Sequence, residues 1–282
     1  MSDRINNIIE PSHLIPVAKM NKDLKETGIT LGGQELRTLV DKYYQMQDDR
    51  IRTKAQIREA EETKEPHEVL IHLATESERL ENQIKGVLQV HVENRDIGKW
   101  LLANKGIGAV LSAGLLAHID INIAKTAGDI WNFAGLNPSI KWEKGKKRPF
   151  NARLKTLCWK IGESFVKVSG NKDAFYGQIY ADRKKFEVDR NEKGYYKEHA
   201  KKQLEEKKYS KNTDAYACYI KNILPPAHIH AISKRFTVKL FLSHFHAIWF
   251  ELEHGKPAPL PYAIAILGHG HHILPPFNLS DL

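Results

Sequence analysis

The residues with the clearest chemical potential are Gly106, Ile107 and Gly108, which stand between two apolar stretches. Glycines let the chain turn tightly, and they let a phosphate approach the backbone because no Cβ stands in the way. The peptide N–H groups after such a turn lie at a helix N-terminus, where free donors and the helix dipole favour an anion. With Lys105 before it, this pattern predicts a helix-hairpin-helix that grips a sugar-phosphate backbone without reading bases. A tight structural turn that binds nothing is the alternative interpretation.

A cationic loop follows between residues 141 and 153. Its basic side chains, which can neutralise phosphates, are Lys141, Lys144, Lys146, Lys147, Arg148 and Arg153. Gly145 lies among them. Trp142 and Phe150 are interleaved with the charges, and they either stack on unpaired bases or pack in the core. Trp131 and Phe133, just before the loop, are expected to be core residues.

The order of these features resembles the C-terminal domain of the insertion-sequence 110/116/902 transposases. The matching residues are Gly106, Gly108, Ala113, Leu116, Ala127, Trp131, Ala134, Gly135, Leu136, Pro138, Gly145, Arg148, Arg153 and Leu157. The likeness covers residues 95–170 well, and residues 34–92 look like the coiled-coil segment that precedes this domain in the family. Residues 173–282 match only loosely. The resemblance implies a DNA-binding protein with a role in transposition or recombination.

Two departures from the family pattern limit what the resemblance implies. The family carries an N-terminal RuvC-type nuclease domain with acidic metal ligands, and the 33 residues before the first long helix here do not provide one. The family's serine nucleophile lies in a Ser-Gly motif, where this chain has Lys144 before Gly145. Ser139 lies in the same loop at another spacing, and a serine nucleophile also needs an activating partner. We therefore assign no catalytic residue and no cofactor, and Mg²⁺ enters only if a nuclease partner acts in trans.

The positive charge of the chain is concentrated in one segment. The whole sequence has 43 Lys and Arg against 34 Asp and Glu, a formal net charge of +9. Residues 141–211 carry 21 basic and 10 acidic residues, whereas residues 1–140 carry 17 basic and 20 acidic. A basic block on a nearly neutral protein predicts a polyanion partner, DNA or structured RNA. A solvated lysine-rich helix face is the alternative.

The elements that must position these residues are helices. Apolar residues recur at helical spacing, and no alternating strand pattern of any length is present, so we predict an all-α fold. Four segments are predicted: an irregular lead-in (1–33), an antiparallel helical hairpin or coiled-coil arm (34–93), the helix-hairpin-helix domain (94–170), and a basic helix with a His- and Pro-rich helical region (171–282).

The arm contains a heptad pattern. Its second helix has a/d spacing at Leu73, Ser77, Leu80, Ile84, Val87 and His91. Such spacing does not identify the partner. Pairing within the hairpin and pairing between chains, as a homo-oligomer through residues 34–92, both stay open.

Several classes of protein are excluded by composition. With only Cys158 and Cys218, disulfide scaffolds and cysteine-based zinc fingers are excluded, and a reducing cytoplasm is expected. No apolar run reaches the roughly 18 residues of a membrane span, so no membrane partner is expected. Eight of the 14 histidines lie in the last 55 residues. His269, His271 and His272 are the candidates for a metal ion, but we assign no metal, because packed, hydrogen-bonded histidines explain the pattern equally simply.

Three functions are compatible with the sequence. The first is a DNA-binding protein that holds phosphates with little sequence preference. The second is a transposase or recombinase subunit that acts with a nuclease domain in trans. The third is a structural, oligomerising protein with no nucleic-acid role.

Overall fold

The computed structural model describes residues 19–64, 68–140, 142–260 and 273–278. These residues form 11 α-helices and one 3-10 helix and contain no strand, which confirms the predicted all-α class. The helices are α1 (Lys22–Glu26), the 3-10 helix (Thr27–Thr30), α2 (Gly33–Thr63), α3 (Glu68–Glu93), α4 (Asp96–Ala103), α5 (Ala109–His118), α6 (Ala127–Phe133), α7 (Ala152–Lys167), α8 (Phe175–Glu192), α9 (Lys197–Glu206), α10 (Asp214–Ile220) and α11 (Pro226–His254). In the described part of the chain, no helix combines the length and the apolar character that a bilayer span requires.

The chain divides into two compact units. The first comprises residues 1–95 and 112–118, and the second comprises residues 96–111 and 119–282. The segment boundary predicted near residue 170 lies inside the second unit. The lead-in, predicted to be irregular, contains α1 and the 3-10 helix among its described residues.

In the first unit, α2 and α3 run antiparallel and meet along a polar seam. The carboxylate of Glu81, which is almost completely buried, accepts hydrogen bonds from Arg50 Nε at 2.7 Å and Gln47 Nε2 at 3.2 Å. Ser77 Oγ donates to Asp49 Oδ2 at 2.6 Å. Burial raises the pKa of Glu81, but the hydrogen bonds from Arg50 and Gln47 outweigh burial and hold this pKa below its usual value. Removing one partner of such a buried pair is destabilising, because the remaining charge is left uncompensated.

The apolar heptad residues of α3 are only partly buried. Val87 and His91 are buried against the lead-in: a Cβ at Gly28 would lie 2.8 Å from Val87, and His91 Nδ1 donates to the Gly28 carbonyl at 2.9 Å. Leu73 and Leu80 are instead 50% and 36% exposed. The heptad positions of α3 are therefore buried unequally, and polar side chains lie between α2 and α3 near Ser77 and Glu81.

The core of the second unit is an aromatic cluster around α11. Phe241 stacks with Trp100 of α4 at a centroid distance of 6.0 Å, and it meets Phe165 of α7 and Tyr176 of α8 edge-on at 5.3 and 5.1 Å. All four side chains are buried. Aromatic pairs of this kind add to the free energy of burial, so this cluster holds α4, α7, α8 and α11 together.

The starts and ends of these helices follow from local residue types. Asn151 caps α7, its Oδ1 accepting the N–H groups of Arg153 and Leu154, both at 3.0 Å. Proline fits the first turn of a helix, and α11 begins at Pro226. The charged helical stretch is interrupted at Gly194, between α8 and α9.

Histidines connect the helices of the second unit through hydrogen bonds. Tyr176 Oη donates to His244 Nδ1 at 2.8 Å, and His244 Nε2 donates to the Ile273 carbonyl at 2.8 Å. His246 Nε2 donates to the Ala124 carbonyl at 3.0 Å. Burial lowers the pKa of His246, and the bond to Ala124 only partly opposes this effect. His246 is therefore a neutral, packed group of the core, and His244 is buried and hydrogen-bonded at both ring nitrogens.

Acidification is expected to destabilise the fold through His246. As the pH falls below about 6.5, the unfolded chain protonates this histidine while the folded chain resists until its own lower pKa is reached. The free energy of unfolding then decreases by up to about 1.4 kcal/mol per pH unit for each such histidine. His246→Gln keeps a donor for Ala124 and does not titrate, so urea unfolding between pH 7.5 and 5 should show a shallower decline than wild type.

The control for this experiment is His72→Gln, at a partly exposed histidine of α3. It controls for the replacement of one imidazole by an amide outside the core. An unchanged slope in His246→Gln would contradict the assignment of His246 as a buried neutral group.

Candidate nucleic-acid interface

The predicted hairpin turn lies between α4 and α5 and is ordered by Asn104 and Ile107. The Ile107 N–H donates to the Asn104 carbonyl at 2.9 Å, and Asn104 Nδ2 donates to the Trp100 carbonyl at 2.6 Å. The Ile107 side chain is buried, as the sequence predicted. The buried Ile107 side chain and the hydrogen bonds of Asn104 therefore hold the turn in place.

The two glycines of the turn have different surroundings. Gly106 has φ +99°, and its carbonyl accepts a hydrogen bond from Ser164 Oγ of α7. A Cβ there would meet Val168 and Ser164 at 3.3 and 3.4 Å, in a backbone region that L-residues avoid. Gly108 is exposed, and a Cβ there would meet no atom within 4 Å. Gly106 is thus required by the turn, while Gly108 leaves open space beside the first N–H groups of α5.

Lys105, the cation of the hairpin, already has a carboxylate partner. Its Nζ lies 2.8 Å from Asp173 Oδ2, and both side chains are exposed. Its hydrogen bond and charge lower the pKa of Asp173. Exposed ion pairs are weak, so a phosphate at this position would compete with Asp173 for Lys105.

The cationic loop is an ordered projection between α6 and α7. Its end is fixed by the Asn151 N–H, which donates to the Phe133 carbonyl at 2.8 Å. Inside it, Trp142 Nε1 donates to the Lys146 carbonyl at 2.7 Å. Gly145, with φ +91°, makes the turn between them. The loop therefore has a defined shape without core packing of its own.

The cations of this loop differ in their partners. Lys146 pairs with Glu143 at 2.7 Å. Arg148 lies over the Trp142 ring at 5.3 Å from its centroid. Lys144 and Lys147 are exposed, and within the described residues neither forms an ion pair. Three cations, those of Lys144, Lys147 and Arg148, thus have no carboxylate partner among the described residues.

The other two predicted cations lie elsewhere. Arg153 is exposed in the first turn of α7, and Lys141 lies outside the described residues.

Some aromatic residues near the loop pack against the fold, and others are exposed to solvent. Phe150 packs on Gly135, where a Cβ would come within 2.8 Å of the ring, so Phe150 supports the loop. Trp131 is half-buried, and its Nε1 donates to the Lys239 carbonyl at 3.0 Å. The expectation that Phe133 is a core residue is wrong, because its ring is 44% exposed. The chain turns outward there to begin the loop.

The hairpin and the loop lie at opposite ends of α7. The hairpin contacts Ser164 and Val168 near the C-terminus of α7, and the loop joins the N-terminus of α7 at Asn151. A helix rises 1.5 Å per residue, so these two points are separated by about 20 Å along α7. This distance corresponds to roughly six base pairs of duplex at 3.4 Å each. The two elements are therefore separate contact points.

The basic segment that follows neutralises only part of its charge, and the exposed Lys184, Lys185, Lys197, Lys208 and Lys211 form no ion pair among the described residues. Lys193, Lys201 and Lys202 pair with acidic residues three or four positions away on the same helix. Arg183 and Arg190 both pair with the completely buried Glu187. Sequence reasoning could not distinguish these paired cations from those of the loop, because the acidic partners are spread through the same segment. The loop and these exposed lysines are therefore both available to an anion, and the loop is the part whose backbone is held by the hydrogen bond from Trp142 to Lys146.

Among the described residues, no catalytic or metal site surrounds the remaining candidates. Ser139 is exposed; its N–H donates to Asn137 Oδ1 at 3.0 Å, and for its hydroxyl the described residues provide no hydrogen-bonded acid or base. No group of three or more histidines, cysteines or carboxylates capable of holding a metal is present in the described ranges. The metal candidates His269, His271 and His272 lie outside those ranges.

Sequence reasoning missed Ser164 and Asn151. Ser164 is 58 residues from the carbonyl that it contacts, and no local pattern indicates that contact. Asn151 had a signal, because asparagine before a helical run is a common cap.

Comparisons with protein-family models, with curated proteins and with solved structures find no match for this chain.

The two hairpin glycines should respond differently to the same substitution. Gly106→Ser forces an L-residue to positive φ against α7, and it should lower the free energy of unfolding by about 1–3 kcal/mol. Gly108→Ser introduces a good capping residue into open space and should change it by less than about 0.5 kcal/mol or increase it. Urea denaturation followed by circular dichroism measures both, and equal losses in the two variants would refute the different roles of these glycines.

Proposed function

We propose that this protein binds the phosphate backbone of DNA or structured RNA through the cationic loop and the hairpin. The observation that carries the proposal is the loop itself. It projects from the fold, the Trp142–Lys146 hydrogen bond orders it, and it presents Lys144, Lys147 and Arg148 without carboxylate partners in the described chain. A loop whose backbone is already ordered loses less entropy on binding, and each phosphate that its cations neutralise releases a counterion.

The hairpin supplies the second contact of this proposal. Gly108 leaves the N-terminus of α5 accessible, and backbone N–H groups at a helix N-terminus are suited to a phosphate. The points where the loop and the hairpin join α7 are about 20 Å apart along the helix, and we propose that one duplex longer than about six base pairs contacts both elements. Backbone contacts of this kind position a protein on the duplex but do not specify sequence. We therefore propose weak sequence preference.

From the resemblance to transposases we carry over DNA binding and no catalytic activity. On that resemblance the protein would act in DNA transposition or recombination, as a DNA-binding component. Its two cysteines, Cys158 and Cys218, are free, in keeping with a proposed location in the reducing cytoplasm. We propose no catalytic role for Ser139, since no acid or base in the described residues contacts its hydroxyl.

Charge reversal in the loop tests this function. The triple variant Lys144→Glu/Lys147→Glu/Arg148→Glu should lose on the order of 100-fold in affinity for a 30-base-pair duplex, because three phosphate contacts become repulsions. Fluorescence anisotropy at constant salt measures the affinity. These residues lie in an exposed loop, so the thermal unfolding transition should not move.

A matched control separates loop contacts from total charge. Lys42→Glu/Arg52→Glu/Arg58→Glu changes three exposed cations of α2 and alters the formal charge by the same amount. This control should retain affinity to within about threefold. If both triple variants lose the same affinity, binding depends on total charge and the loop is not the contact.

A further inference from the structure

Aromatic rings and arginines alternate along one border of α8. Arg183 lies over the rings of Phe236 and Phe186, with its Cζ 4.3 and 5.1 Å from their centroids. Arg190 lies over the rings of Phe186 and Tyr195, with its Cζ 5.3 and 3.4 Å from their centroids. Each of these contacts is a cation–π interaction. We call this continuous row of five side chains, from Phe236 to Tyr195, the α8 ladder.

A buried carboxylate holds both arginines of the α8 ladder in place. Glu187 is completely buried and pairs with Arg183 and with Arg190. The Tyr196 hydroxyl donates a hydrogen bond to the same carboxylate. One carboxylate does not neutralise two guanidinium groups, so a net positive charge remains at the ladder. The two arginine side chains are 26% and 22% exposed, and each has five N–H donors, more than one carboxylate uses.

Two rings of the α8 ladder are open to solvent. Phe186 and Tyr195 are 50% and 66% exposed, although Arg190 already lies over part of each ring. Because Arg190 contacts both rings, their centroids are no farther apart than the sum of its two distances, 5.3 and 3.4 Å. A nucleotide strand advances about 3.4 Å per stacked base. The spacing of the rings is therefore compatible with two bases that are close together in one strand.

Cations without ion pairs flank the α8 ladder at both ends. Arg235 precedes Phe236 on α11, and Lys197 follows Tyr195 by two residues at the start of α9. Both side chains are exposed, and neither forms an ion pair within the described part of the chain. The ladder thus combines open ring faces with positive charge along its length and at its ends. This combination is typical of surfaces that bind single-stranded nucleic acid.

We propose that the α8 ladder binds an unpaired stretch of nucleic acid, with bases stacked on Phe186 and Tyr195 and phosphates facing Arg183 and Arg190. This inference rests on the proposed nucleic-acid function and extends its ligand from a duplex to an unpaired strand. The ladder shares no residue with the cationic loop or the hairpin, so its contribution is measured separately from theirs.

The chemistry of the α8 ladder favours an unpaired strand over other occupants. In a duplex the base faces are stacked on one another, so they are not free to cover these rings. An acidic peptide segment supplies anions but leaves the exposed rings uncovered. An apolar protein surface covers the rings but desolvates the two arginines without pairing them, which is costly. An unpaired strand supplies both a flat apolar face and an anion at every nucleotide.

Fluorescence anisotropy with a 15-nucleotide oligo(dT) tests the ladder, because this strand forms no duplex. Phe186→Leu/Tyr195→Leu keeps apolar side chains and removes both flat faces. Loss of one stacked base corresponds to about 5- to 150-fold in affinity, so this double variant should bind oligo(dT) at least about 20-fold more weakly. Its affinity for a 30-base-pair duplex should stay within about threefold. Phe186→Trp/Tyr195→Trp keeps flat faces and should retain the affinity for oligo(dT).

The matched control is Trp159→Leu. Trp159 is 57% exposed on α7, and Lys234 Nζ lies 5.1 Å from its ring centroid. Lys234 and Phe236 are two residues apart on α11, which places them on nearly opposite sides of that helix. The control therefore removes an exposed ring with a stacked cation outside the ladder, and it should change the affinity for oligo(dT) by less than about threefold. Circular dichroism should be the same for all variants.

Photo-cross-linking locates the bound strand. Oligo(dT) that carries one 5-iodouracil should form adducts on peptides containing Phe186 or Tyr195. If the double leucine variant binds oligo(dT) as tightly as the unmodified protein, or if adducts form only in the cationic loop, the ladder is not the site and duplex binding by the loop is unaffected. Equal losses on oligo(dT) and duplex would refute the preference for unpaired bases. A protein that binds neither ligand would overturn the proposed function together with this inference.

Discussion

Helix α7 fixes the spacing of the two elements that face the proposed ligand. At its C-terminal end, Ser164 holds the Gly106 carbonyl and Phe165 enters the aromatic core. At its N-terminal end, Asn151 both caps the helix and closes the cationic loop on the Phe133 carbonyl. Because a helix is stiff over this length, the turn and the loop cannot move independently along it. A ligand therefore meets two contacts at a fixed spacing.

The distribution of ion pairs determines which cations near the hairpin and the loop can attract an anion. The helices after α7 carry many cations. Where these cations form ion pairs, the partner is usually an acid on the same helix, and the buried Glu187 pairs with both Arg183 and Arg190. Lys144, Lys147 and Arg148 of the loop have no carboxylate partner among the described residues. The excess positive charge of residues 141–211 is therefore accessible in the loop as well as at exposed lysines of the helices that follow. Position relative to the acids, more than the count of lysines, decides where a polyanion is attracted.

Helix positions in this protein follow closely from the sequence, because Gly, Pro and capping residues separate long helical patterns. The turn between α4 and α5 was predicted from Gly106 and Gly108. The partner of each helix face was not predictable. The contacts of Arg50 and Gln47 with Glu81 across the arm join residues that are more than 30 positions apart. Pairing of Lys105 with Asp173 likewise joins distant positions.

The salt dependence of binding tests the central claim most directly. Affinity of the unmodified protein for a 30-base-pair duplex should be measured from 50 to 300 mM NaCl, with single-stranded DNA and structured RNA in parallel. The account predicts a linear plot of log K against log salt with a slope of about −4 or steeper on the duplex, since each neutralised phosphate adds about −0.9. It also predicts similar affinities for unrelated sequences. A slope near zero, or no measurable binding to any of the three at 50 mM, would contradict a protein that holds the phosphate backbone.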